Sequence, residues 1–261
     1  MPVNSLLDLV VTYLPLPPLA LLTVGLGVSV AYVIFGVAGF GTALVAGPVL
    51  AHFVPLATIV PLLALLDFAA AVVNVARDGQ AADTRELRRI VPAMALGSLG
   101  GAAILLLGRP SALQLALGLF AVAYALYTLS GFKSGARFTP RAALPFGVVG
   151  GVFSALFGSG GFIYAIYLAG RIEASERIRV TQSTLIGLST LTRAVLFLLA
   201  GVYANPRILA LAAVLALPML IGTALGRRIT LMLTRAQFLR IVSLIVLCSG
   251  VTLIWRYSSA S

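Results

Sequence analysis

The feature that most constrains this chain is a succession of apolar stretches, several of which reach the roughly 20 uninterrupted residues a helix needs to cross about 30 Å of hydrocarbon. They fall into ten segments, five in each half. In the first half, segments A to E cover Pro18–Phe35, Thr42–Phe53, Pro55–Val75, Leu87–Leu107 and Leu113–Leu129. In the second half, A' to E' cover Ala142–Phe157, Phe162–Ala169, Val180–Tyr203, Ile208–Gly226 and Ala236–Trp255. Segments B and B' are too short to span upright. Only 10% of the residues are charged, whereas a soluble domain is about one quarter charged. A water-facing surface cannot be made from that supply, so lipid is the solvent and the expected fold class is an all-α polytopic membrane protein.

The formal charge is +11, but the basic residues sit almost entirely in short connections between apolar segments, which is the positive-inside pattern. No arginine-rich or lysine-rich run and no alternation of basic and aromatic residues is present, so nucleic acid is not an expected partner. Cys248 is the single cysteine, which leaves no intrachain disulfide and no CxxC site; its apolar surroundings suggest a small core residue. The N-terminus lacks a basic region and a small-residue cleavage site, and its apolar stretch is expected to be retained as a span.

The two halves resemble one another. Phe35-Gly36-Val37-Ala38-Gly39-Phe40 recurs as Phe157-Gly158-Ser159-Gly160-Gly161-Phe162 at the same point in the segment order. Gly79 after C corresponds to Gly201 after C', and the small-residue pair Gly97 and Gly101 in D corresponds to Gly222 and Gly226 in D'. Matches that keep their order indicate a repeat. The loop from C to D holds Arg77, Arg85, Arg88 and Arg89, but its counterpart has only Arg207. The B' to C' loop carries Arg171, Arg177 and Arg179, where B to C has His52 alone; the D' to E' loop carries Arg227, Arg228 and Arg235, where D to E has Arg109. Equivalent loops thus lie on opposite sides of the membrane. We expect two inverted-topology repeats, 1–131 and 142–261, joined by a cytoplasmic linker at 132–141 with Lys133, Arg137 and Arg141. Each repeat contains a short half-helix after a glycine-rich break, and A' with B' either crosses twice or forms a re-entrant hairpin. Both termini are expected on the non-cytoplasmic side of an inner membrane. Such repeats are a transporter architecture with a site near the midplane.

With these breaks, halves and glycines identified, the chain resembles the TauE/SafE sulfite exporter family, also called the 4-toluene sulfonate uptake permease family, over essentially its whole length. Two stretches carry the resemblance: Gly36-Val37-Ala38-Gly39-Phe40-Gly41-Thr42 leading to Pro48, and Thr181-Gln182-Ser183-Thr184-Leu185 continuing to Gly201. In the first half, Ala57-Thr58-Ile59-Val60-Pro61 is a looser version of the second stretch. The resemblance implies bacterial inner-membrane transport of small sulfur-containing anions, sulfite or organosulfonates, commonly as export.

Each clustered glycine lowers helix stability by about 1 kcal/mol relative to alanine. Gly36, Gly39, Phe40, Gly41 and Thr42, with Gly158, Ser159, Gly160, Gly161 and Phe162, either permit close helix packing or form breaks from which B and B' start as half-helices. In the second case unpaired N–H groups and the positive end of a helix dipole attract an oxyanion, with Thr42 and Ser159 as hydroxyl donors. Arg193 falls about 3 Å from the middle of C' at the helical rise, where an arginine costs ~2.5–3.5 kcal/mol and requires a partner or water. Its planar donor fork suits an oxyanion. Asp67 lies near the middle of C, and registering Gly79 on Gly201 places its equivalent at Ser189, one turn from Arg193. The two charges form either a permanent bridge that fixes packing or a switchable pair in which Asp67 takes a proton. Asn74 shares nearly the same helix face as Asp67. Thr181 and Gln182 are expected to cap the start of C', and Ser183 and Thr184 to line the cavity. His52 reads as interfacial, and Trp255 with Tyr257 as an aromatic anchor.

The intramembrane segments offer one Asp, one Arg and one Asn, without paired carboxylates, an HExxH motif or a phosphate loop. These residues do not make an enzyme, and no cofactor or metal is expected. The reading is a secondary transporter of small sulfur-containing anions, with proton coupling through Asp67 left open, and with membrane lipid and a small anionic substrate as partners. The alternatives are a passive anion channel and a non-transporting scaffold or receptor.

Overall fold

The computed structural model describes residues 17–38, 42–51, 53–78, 82–131, 137–229 and 235–260. Ten α-helices occur among them. In the first half these are α1 (Pro18–Ala38), α2 (Thr42–Leu50), α3 (Leu56–Asp78), α4 (Thr84–Leu107) and α5 (Pro110–Leu129). In the second half they are α6 (Ala143–Phe157), α7 (Gly161–Ala169), α8 (Ser175–Leu199), α9 (Pro206–Ile229) and α10 (Arg235–Ala260). They correspond in order to A through E', and no strand occurs among the described residues. Among these residues, five stretches are long and apolar enough to cross a membrane: Thr84–Leu107, Pro110–Leu129, Pro140–Phe157, Val180–Leu199 and Pro206–Gly226. Leu19, Leu22, Leu26 and Val30 form an exposed apolar stripe on α1, and Leu217, Leu220 and Ile221 another on α9. Contiguous exposed apolar surface of this kind needs lipid as its solvent. Within the helices the hydroxyls of Thr23, Thr184, Thr192 and Thr252 donate to the carbonyl four residues back, so they need no water.

The most extensive helix packings exchange with one another when the two halves are exchanged. Helix α4 packs on α6 as α9 packs on α1, α4 meets α8 as α9 meets α3, and α5·α10 and α3·α8 each join equivalent helices. Small residues set the first of these crossings. A β-carbon on Gly97 would overlap the carbonyl of Val148, one on Gly101 would lie 2.6 Å from Val152 O, and one on Gly222 would overlap Ser29 O. Of the glycines expected from the sequence to recur, Gly97 and Gly222 therefore serve equivalent crossings in the two halves, where backbones approach closely.

Helices α6 and α7 form a hairpin whose two ends meet, because Phe138 N–H donates to Gly170 O at 3.0 Å and Arg171 Nη1 donates to Phe138 O at 3.1 Å. The ends of A' and B' therefore lie together, as both alternatives, two crossings or a re-entrant hairpin, require. Nine residues of α7 extend about 14 Å, too short to cross a hydrocarbon layer of about 30 Å, whereas Pro140–Phe157 is long and apolar enough to do so. The same end of the molecule gathers the 82–89, 137–139 and 170–177 segments. There the buried Glu86 accepts from Arg171 Nη2 and Arg89 Nη1, each at 2.7 Å, and from Tyr167. The hydrogen bonds to Glu86 raise the Arg171 pKa above its ordinary value. Three loops that the sequence assigned to one side by their arginines are thus physically adjacent.

Several expectations change. The first break is narrower than 36–42, since α1 runs through Gly36 to Ala38 and α2 begins at Thr42. Helix α8 starts at Ser175, so Thr181 and Gln182 lie inside it and cap nothing: Thr181 Oγ1 accepts from Asp83 N–H at 2.8 Å and Gln182 Nε2 donates to Gly161 O at 3.4 Å. Cys248 is exposed on α10 rather than in the core, because in lipid an apolar neighbourhood in sequence does not require a protein interior. Trp255 and Tyr257 are exposed on the last turns of α10. His52, Gly39, Phe40, Gly41 and Gly79, and the side chain of Asn74, lie outside the described residues.

Candidate functional site

The second break is built by one glycine. Helix α6 ends when Gly158 takes φ +66°, donating to the carbonyls of Phe153 and Ser154, a left-handed turn that only glycine adopts without strain. There is no room for a side chain either, since a β-carbon would lie 2.6 Å from Ala43 Cβ and 3.0 Å from Arg193 Nη1. The chain then restarts as α7, whose N-cap, Gly160, supplies no side-chain cap to the first-turn amides. Tip, half-helix and guanidinium are therefore in contact.

Arg193 is 2% exposed and belongs to a buried polar centre. Its Nη1 donates to Ser154 O at 3.1 Å, and its Nη2 to Thr190 Oγ1 at 3.2 Å and to Asp67 Oδ2 at 3.4 Å. Asp67 also accepts from Tyr32 at 2.8 Å and from Thr42 at 2.9 Å. The expected meeting of α3 and α8 through these charges is present, although Arg193 lies nearer the C-terminal end of α8 than the sequence bounds implied. Packing against the break places it inside. Arg193 Nε and Ser159 Oγ are buried without a partner.

Around these groups lies a cavity of about 10 Å³, bordered by Phe35, Thr42, Asp67, Ser154, Gly158, Gly160, Gly161, Tyr164, Ile186, Ser189, Thr190 and Arg193. That is room for about one water molecule. Of the residues expected at the site, Thr42, Asp67, Gly158, Gly160, Gly161 and Arg193 border this space. Ser183 and Thr184 do not; both are half-buried, and Thr184 bonds back to Val180 O. Phe162 instead lines an apolar groove of about 530 Å³ between α5, α6 and α7, where its ring lies 5.6 Å from that of Phe120.

Sequence reasoning missed Tyr32, Ser154, Tyr164 and Thr190. For three of them a signal existed. The spacing that carries Gly79 onto Gly201 also carries Asp67 onto Ser189, Tyr32 onto Ser154 and Thr42 onto Tyr164. The hydrogen bonds follow that mapping. Tyr32 and Asp67, 35 residues apart, are bonded at 2.8 Å, and so are Ser154 and Ser189, also 35 apart, at 2.7 Å. Thr42 and Asp67, 25 residues apart, are matched by Tyr164 and Ser189, also 25 apart, at 3.4 Å. Arg193 has no such counterpart, because the matching position holds Ala71.

Helices long and apolar enough to cross a membrane, packed around an enclosed polar centre that holds a helix break, define a multi-pass membrane protein of the transporter class. The chain belongs to the sulfite exporter TauE/SafE family, whose model matches residues 23–253. No curated protein and no solved structure matches it.

Proposed function

We propose that this protein is a secondary transporter of small sulfur-containing anions, sulfite or an organosulfonate, moving them out across the inner membrane through the cavity at Arg193. The carrying observation is the buried guanidinium: Nε is unpartnered while the uncapped first turn of α7 and the Gly158 tip border the same space. Arginine donors and helix N-termini attract oxyanions without needing a metal. The packed pairs that exchange with the halves support two inverted repeats, and the shared basic end supports placing the linker on the cytoplasmic side. Non-cytoplasmic termini follow from that placement.

Closure of the site favours a carrier over a channel, since a cavity that admits one water is occluded rather than a conducting pore. Movement then requires Arg193 to exchange Asp67 for the solute, and a proton on Asp67 would ease that exchange. The test is flux of sulfite, sulfonates, thiosulfate, sulfate and simple carboxylates in proteoliposomes, with counterflow and unitary currents measured in parallel. Arg193→Gln is expected to abolish anion flux, and normal transport by a folded Arg193→Gln protein would refute the role given to this residue. Asp67→Asn with an unaltered pH profile would remove proton coupling through Asp67.

A further inference from the structure

The mirrored bonds around Asp67 and Ser189 point to where the solute binds. In the first half, a hydroxyl from α1 and one from α2 converge on a carboxylate carried by α3. In the second half, the equivalent positions on α6 and α7 also supply hydroxyls, Ser154 and Tyr164, but α8 carries Ser189 where α3 carries Asp67. The second half thus keeps the donors of a carboxylate site and lacks the carboxylate. Ser154, Tyr164, Ser189 and Arg193 all border the cavity, and Arg193 follows Ser189 by one helical turn. Each of the three hydroxyls is a donor when its proton is turned toward an acceptor.

We propose that an oxyanion of the carried solute occupies, in the second half, the place that the Asp67 carboxylate occupies in the first, held by Ser154, Tyr164, Ser189 and the free Nε of Arg193. Asp67 is then a built-in likeness of the substrate: both present anionic oxygens to clustered hydroxyls and to the Arg193 guanidinium. Entry of the oxyanion breaks the Ser154 to Ser189 hydrogen bond and turns both hydroxyls onto the incoming oxygens, which widens a space now large enough for one water. Arg193 lies between a fixed carboxylate and a mobile oxyanion, and this arrangement discriminates against cations and neutral solutes. The inference rests on the anion-carrying reading above.

The experiment uses the full chain with sulfite as the probe, and with sulfate and methanesulfonate for comparison. It reads ligand-induced thermal stabilisation in detergent and flux in proteoliposomes. Ser189→Asp places a tethered carboxylate in the subsite and is expected to lower apparent sulfite affinity more than a hundredfold, whereas the neutral Ser189→Asn lowers it tenfold or less. If Ser189→Asp fails to fold, the exchange variant Asp67→Ser/Ser189→Asp keeps one carboxylate for Arg193. It is expected to bind sulfite on the mirrored side, so that Tyr32→Phe becomes harmful and Tyr164→Phe ceases to be. Wild-type sulfite affinity in a folded Ser189→Asp protein, or an exchange variant that still depends on Tyr164, overturns the subsite while leaving Arg193-dependent flux intact. Absence of any anion response in the wild type refutes the transport reading and the subsite together.

Discussion

Asp67 and Arg193 provide the most direct measurement of what holds the centre of this protein together. Their closest atoms are 3.4 Å apart, both side chains are almost fully buried, and at an effective dielectric constant of 20 two unit charges at that distance attract by ~5 kcal/mol. The distance is at the long limit of a hydrogen bond, so the coupling is mainly Coulombic rather than directional. Asp67→Asn leaves the guanidinium buried with only neutral acceptors, the Ser154 carbonyl and the Thr190 hydroxyl; removing one partner of such a pair costs about 3–5 kcal/mol. Arg193→Met leaves the carboxylate with Tyr32 and Thr42 as donors, a smaller loss within the same range. The double variant removes both charges and is expected to recover most of the loss, since apolar replacement of a whole buried pair is commonly near neutral. Equilibrium unfolding in mixed micelles, carried through the four corners of the cycle, reads the coupling energy. We expect about 2–4 kcal/mol after desolvation and relaxation. A coupling below about 0.5 kcal/mol, the level at which independent sites are additive, would refute the pairing and with it the position assigned to Arg193.

Gly97→Leu and Gly222→Leu push a side chain into a facing backbone carbonyl; each is expected to destabilise by about 1–3 kcal/mol in the same unfolding assay, with similar size because the two crossings are equivalent. Gly158→Ala forces alanine into a left-handed turn at about 1–2 kcal/mol and presses on Ala43 and Arg193, so thermal stability and anion flux are expected to fall together. In a Cys248→Ala background, single cysteines replacing Arg88, Arg137 and Glu173 are expected to react with a charged maleimide from one side of sealed vesicles, and a cysteine replacing Arg207 from the other. In the unmodified chain, the lipid-exposed Cys248 is expected to react with a membrane-soluble maleimide and to resist the charged one.

The amino-acid sequence by itself determined the solvent and the number and order of the helices, because those follow from local quantities, apolar length and loop charge, and it supplied the echo of the Phe-Gly breaks that suggests a repeat. It also determined that Asp67 and Arg193 need partners, since neither tolerates hydrocarbon alone. Where helices begin was less legible. Polar residues at 181–184 look like a helix start until the turn from Ser175 to Val180 is folded ahead of them, and their bonds then go sideways to Asp83 and Gly161. Only the tertiary structure showed which residues join the two ends of A' and B', since a hydrogen bond between Phe138 and Gly170 links residues whose separation carries no local signal. It also decided which hydroxyls reach the cavity. An intramembrane tyrosine or serine reads the same in sequence whether it faces lipid, a neighbour or the centre, and the three are separated only by how α1, α6 and α7 rotate against α3 and α8.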